Sequence, residues 1–135
     1  MRNKKRELPE DNVYTEYPLP LHELRIGNVI RDPEGKWLEL SPQTFPEVLK
    51  QPERFTPVRL TEEILTTQSY IRSGTYRFDL DLLEDYYLMF TGKFGILYKV
   101  DKGTVGVPIH YLHQLQNNWF YIVGKELAFQ IPLAG

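Results

Sequence analysis

"TYRFDLDLLEDYYLMFTGKFGILYKV", Thr75 to Val100, decides the fold class of this chain. Its first part alternates Tyr76, Phe78, Leu80 and Leu82 with Arg77, Asp79 and Asp81, a period of two that predicts a half-buried strand. "YYLMF" and "FGILYKV" read as two more strands joined by a tight turn at "TGK", with "DKGTVG" ending the second. Three such strands in succession make a β-meander. Downstream, "YLHQLQNNWFYIVG", Tyr111 to Gly124, changes period. At about 100° per residue, Tyr111, Leu112, Leu115, Trp119, Phe120, Ile122 and Val123 fall within about half the circumference of a helix. That arc is expected to face the sheet. The opposite arc collects His113, Gln114, Asn117, Asn118 and Tyr121, with His113, Asn117 and Tyr121 neighbours on one exposed line. Gln116 falls inside the apolar arc, where an unpaired amide costs about 1–3 kcal/mol, so it is expected to be buried and bonded to backbone. After Gly124, "KELAFQI" predicts a last strand.

Upstream of the meander, "RLTEEILTTQSYIRSG" carries helix-start signals: Thr61 as cap, Glu62 and Glu63 at the positive end of the dipole, Ile64 and Leu65 inward. A helix over about 61–71 follows, with Gly74 at the exit. "LHELRIGNVIRDPEGKWLEL" reads as a hairpin around a "DPEG" turn, with Ile26, Val29 and Ile30 going out and Trp37, Leu38 and Leu40 returning. In "SPQTFPEVLKQPERF", Pro46 lacks the amide that would bond back to Pro42, so any helix is distorted or begins nearer Thr44 and is short. "ELPEDNVYTEYPLP" holds three prolines and is expected to be extended. The expectation is α+β: one domain over 21–135, a small, curled, mainly antiparallel sheet packed against two main helices. An extended, partly disordered basic arm over 1–20 precedes it.

Composition narrows the function. A 135-residue chain with 41% hydrophobic and 25% charged residues has the apolar surface of a folded domain. Cysteine is absent, which excludes disulfides, thiol nucleophiles and iron–sulfur ligation. No apolar h-region follows the basic start and no long apolar span occurs later, so a cytoplasmic protein without membrane association is expected. Arg2, Lys4, Lys5 and Arg6 supply four of the 16 basic residues; the other 12 face 18 acidic residues, leaving the body net negative. Such a body repels phosphate, so nucleic-acid binding is expected to be weak and confined to that arm, whose leading reading is a solvated terminus.

The sets that carry chemistry are sparse. His110 and His113 are three apart, but a zinc site takes three or four ligands, and His22 is distant in sequence, so no metal and no cofactor is expected. Asp79, Asp81, Glu84 and Asp85 form the densest carboxylate group; a solvated sheet edge accounts for them more simply than paired acid–base catalysis. "TGKFG" has too few glycines for a phosphate loop, and its Lys93 precedes a strand. No catalytic residues are assigned. The candidate binding residues are His113, Gln114, Asn117 and Tyr121, read as a surface for an unidentified protein partner, because interface cores favour aromatic rings and exclude charge.

"RIGN" (Arg25 to Asn28), "PVRLTEE" (Pro57 to Glu63) and "YLHQLQNNWFYIVGKEL" (Tyr111 to Leu127) together resemble a family of small uncharacterised proteins of Bacteroides-group bacteria and their phages and prophages. The resemblance covers roughly residues 22 to 131. It departs at Val58-Arg59 and at Trp119, Tyr121 and Val123 within the last motif. It implies a cytosolic protein of phage or mobile-element origin and brings no reaction with it. The leading expectation is therefore a non-enzymatic interaction protein. An accessory factor touching nucleic acid through the arm comes second, and a small hydrolase or metal-dependent enzyme third.

Overall fold

The computed structural model describes residues 19–68, 70–81 and 83–131. The basic arm, with Arg2, Lys4, Lys5 and Arg6, lies outside the described residues, as does Leu82. Among the described residues the fold is α+β, with three α-helices and eight strands in two antiparallel sheets. The chain groups into two compact units, Met1–Arg59 and Leu60–Gly135.

In the first unit, β1 (Val29–Arg31) and β2 (Trp37–Glu39) form the expected hairpin, with Ile30 opposite Leu38. Its turn is locked by Asp32, whose side chain accepts from the amides of Glu34 and Lys36 at 2.9 Å each. Gly35 donates to the Asp32 carbonyl and takes φ +83°, a conformation that a β-carbon disfavours. A third strand, β3 (Thr56–Pro57), pairs with β1 on the other side. Between β2 and β3 runs α1 (Phe45–Lys50), with Thr44 at its N-cap and Pro46 in its first turn, where a missing amide leaves no helical bond unmade. Leu19, Ile30, Leu40 and Val48 form the buried cluster, flanked by Leu38, Phe45 and Phe55.

In the second unit, α2 (Glu62–Thr66) is capped as expected, the Thr61 hydroxyl accepting from the Ile64 amide at 3.2 Å. It ends five residues short of the predicted 71. The hydroxyls of Thr66 and Thr67 bond back to the carbonyls of Glu63 and Ile64, and two successive β-branched residues are poor helix formers. The meander is present as β5 (Arg77–Asp79), β6 (Tyr86–Phe90) and β7 (Gly95–Lys99), but it is the centre of a larger sheet. Two-residue strands flank it, β4 (Ile71–Arg72) and β8 (Gly103–Thr104), in the order β4-β5-β6-β7-β8. Phe78, Leu88, Phe90 and Leu97 line its buried face. The last helix, α3 (Leu112–Val123), matches its predicted span and ends at Gly124, whose φ of +93° is the left-handed cap that glycine adopts without strain. "KELAFQI" is no strand: residues 125–131 pair with no neighbouring main chain as a ladder among the described residues.

Gly95 fixes where α3 begins. It pairs with Phe90 on one side and exchanges two main-chain bonds with Ile109 on the other, at 2.8 and 2.7 Å. A β-carbon there would stand 2.9 Å from Leu88 Cδ1 and 3.3 Å from the Met89 carbonyl oxygen. Gly95→Ala is therefore expected to lose about 1–3 kcal/mol by overpacking, read as a fall in urea midpoint at constant m.

Candidate functional site

The helix α3 presents the residues on which the sequence reading rests. Its buried set is Leu112, His113, Leu115, Gln116 and Trp119, a stripe at i, i+1, i+3, i+4 and i+7. Gln116 is buried as expected. His113 is not on the exposed line: it is 0% exposed, and its ring stacks on that of Tyr111 at 6.1 Å and 17°. Tyr111 is the N-cap and not part of the helical arc, and its ring shares the burial with His113. Phe120, placed in the apolar arc by its angle, lies at the rim and is 36% exposed.

Gln114 is committed to the helix start. Its Oε1 accepts from the amides of His110 at 2.8 Å and Tyr111 at 3.0 Å, covering donors that the first helical turn leaves open. Asn118 donates to the Gln114 carbonyl at 3.0 Å. Asn117 is half-buried, and Tyr121 is 76% exposed, its ring edge-on to Phe120 at 5.9 Å and 66°. Of the predicted line, Tyr121 is thus the residue fully presented to solvent. The two neighbouring histidines sit in different surroundings, His110 exposed beside Phe94 and His113 buried, and His22 is exposed in the first unit. Among the described residues no group of three or more His, Asp or Glu side chains is placed to hold a metal.

The carboxylate group is divided among cations. Asp79 receives Arg77 at 3.0 and 3.1 Å and the Ser73 hydroxyl at 2.8 Å, while Asp85 faces Lys99 at 3.9 Å. Asp81 and Glu84 converge on Lys125 Nζ at 2.8 and 3.0 Å. That clip was hidden from sequence reading by the separation of its parts. It ties the turn after β5 to the residue just beyond the C-terminal cap of α3, and Leu83, on that turn, is 89% exposed. The Leu83 amide also donates to Asp81 Oδ1 at 3.0 Å. Leu83, Phe120 and Tyr121 are thus large apolar side chains held in water on a helix end and a clipped turn.

The clip has a defined pH window. The hydrogen bond from Lys125, and then that from the Leu83 amide, hold the Asp81 carboxyl below its ordinary value, while the bonds to Asp81 and Glu84 hold Lys125 above its own. What Asp81 adds to stability is complete above about pH 4 and lost as pH falls through its lowered pKa. What Lys125 adds is complete below about pH 10 and lost as pH rises through its raised pKa. Lys125→Met is expected to raise the Asp81 carboxyl toward the ordinary range, with the Leu83 amide bond still lowering it, read from its carbon chemical shift against pH.

The outer face of the five-stranded sheet carries a second aromatic feature. Tyr87 and Tyr98, opposite each other on β6 and β7, stack at 5.4 Å and 8°. From the β5 side, the Arg77 guanidinium lies 3.8 Å from the Tyr87 ring centre, so Tyr87 is sandwiched. No helix among the described residues is long and apolar enough to cross a membrane. Comparison of the chain with protein-family models, with curated proteins and with solved structures finds no match.

Proposed function

We propose that this is a non-enzymatic interaction protein that docks a protein partner through the C-terminal end of α3. The observation that carries the reading is the Phe120–Tyr121 ring pair, edge-to-face and turned to solvent on a helix end. Leu83 stands on the turn that Lys125 clips to that same end. Large apolar groups on a rigid mount lose little side-chain freedom when a partner covers them, and Tyr is enriched among residues that dominate interfaces. Asn117, four residues before Tyr121, supplies a polar margin to the patch. His113 and Gln114, which belong to the packing and capping of α3, have no part in it.

Protein is a better fit than nucleic acid for the partner. Arg77 and Tyr98 occupy the two faces of the Tyr87 ring, leaving it no face for a base, and Asp79 already pairs with Arg77. The basic arm remains the route for a weak, salt-sensitive contact with phosphates. The resemblance of residues 25–28, 57–63 and 111–127 to small proteins of Bacteroides-group bacteria and their phages extends the proposal to an accessory role for a mobile element inside a bacterial cell.

The test uses Tyr121→Ser and Leu83→Ser in the full chain. Both are expected to leave stability within about 0.5 kcal/mol of the parent, as surface substitutions do, and to remove a protein captured from nuclease-treated host lysate. Unchanged capture by both variants would place the docking surface elsewhere. Recovery of nucleic acid that is lost on deleting residues 1–6 would favour the arm.

A further inference from the structure

Residues 127–130, after α3, are held as if they were paired to a strand, although they join no sheet among the described residues. The Gln68 carboxamide meets the main chain of Gln130 twice: Nε2 donates to the carbonyl at 3.0 Å, and Oε1 accepts from the amide at 2.9 Å. Two residues on, the Tyr70 hydroxyl donates to the Ala128 carbonyl at 2.7 Å. Residue 68 meets 130 and residue 70 meets 128, which is the reversed, two-residue spacing of an antiparallel pair with side chains standing in for one main chain. Leu127 anchors the segment by burial. Burial also pushes the Tyr70 phenol well above its ordinary range, so it remains a donor at physiological pH.

All three of these bonds address main-chain groups, so the dock reads a backbone with a leucine at its leading end. The sequence whose fit to those demands is on view is this chain's own tail. We propose that Gln68 and Tyr70 form a backbone-reading dock, that residues 127–130 are an exchangeable strap, and that the strap of a second copy of this chain takes its place reciprocally. Gly124, in a left-handed conformation, and Lys125, held by Asp81 and Glu84, mark the point from which the strap departs. Exchange preserves the same bonds and the same buried leucine, so its balance rests on the tether and on concentration. A short tether gives the chain's own strap an effective concentration of about millimolar or more, so exchange is expected as the protein approaches that range.

The experiment mixes isotope-labelled and unlabelled full-length chain in equal amounts and raises the concentration into the millimolar range. Light scattering follows mass, and isotope-filtered NOEs report contacts between the Gln68 side-chain amide and residues 128–130 of the other copy. The expected result is a dimer that grows with concentration and shows those intermolecular NOEs, and that is lost in a Gln68→Ala, Tyr70→Phe double variant. A chain that stays monomeric throughout overturns the proposal, as does a dimer in which those contacts are wholly intramolecular. Hydrogen exchange on the wild-type chain gives an independent reading. The Gln130 amide, bonded to a side chain, is expected to exchange about tenfold or more faster than the amides of Leu88 and Leu97. Exchange of all three at one rate would mean that the strap opens only when the protein unfolds, and would overturn the idea of an independent strap.

Discussion

Trp119→Ala is expected to lower stability by about 3–5 kcal/mol, a large share of what a domain of this size possesses. The indole is 1% exposed and sits edge-on to Tyr86 at 6.3 Å and 74°, so its removal leaves a cavity between α3 and β6. Beyond area, such an edge-to-face pair adds about 0.5–1.5 kcal/mol. The indole N–H has no hydrogen-bond acceptor among the described residues, and a buried donor left unmade costs about 1–3 kcal/mol. Trp119→Phe keeps most of the ring and deletes that donor, so its loss is expected to be well under half that of the alanine variant. Urea unfolding with an unchanged m-value checks both. Equal losses for the two variants would show that the N–H is satisfied and that packing alone does not set the cost.

What makes the central sheet legible is the period of two in "YRFDLDL", followed by the apolar runs "YYLMF" and "FGILYKV" on either side of a turn signal at "TGK". The strands β3, β4 and β8 are two residues each and have no period to display; neighbours in space recruit them. The same limit explains the tail. "LAFQI" has the composition of a strand, yet it is met by the side chains of Gln68 and Tyr70, a pairing that leaves no mark on its own sequence. The candidate site was legible by halves. Tyr121 stands in water as its angle requires, but the turn that carries Leu83 is tied to that helix end through Lys125, more than forty residues beyond Leu83 in the chain. A helical wheel places Gln114 on the surface because it omits the backbone of His110 and Tyr111, on which the capping role depends.

His113 shows most sharply what the wheel leaves out, and its replacement separates the two orientations of α3. A wheel weighted by hydropathy turns an imidazole outward; the structure instead places its ring against Tyr111 with no exposed surface. An imidazole is amphipathic, and this one spends its flat face on the Tyr111 ring, so residue type alone misjudges its burial. His113→Ala is therefore expected to cost about 2–5 kcal/mol, as truncation of a large buried side chain does. Tyr121→Ala, on the solvent side of the same helix, is expected to stay within about 0.5 kcal/mol of the parent. Thermal and urea melting of the two variants side by side decide the matter. A loss confined to Tyr121→Ala would turn the helix over, bring His113 to the surface, and remove the aromatic pair from the docking surface proposed for this protein.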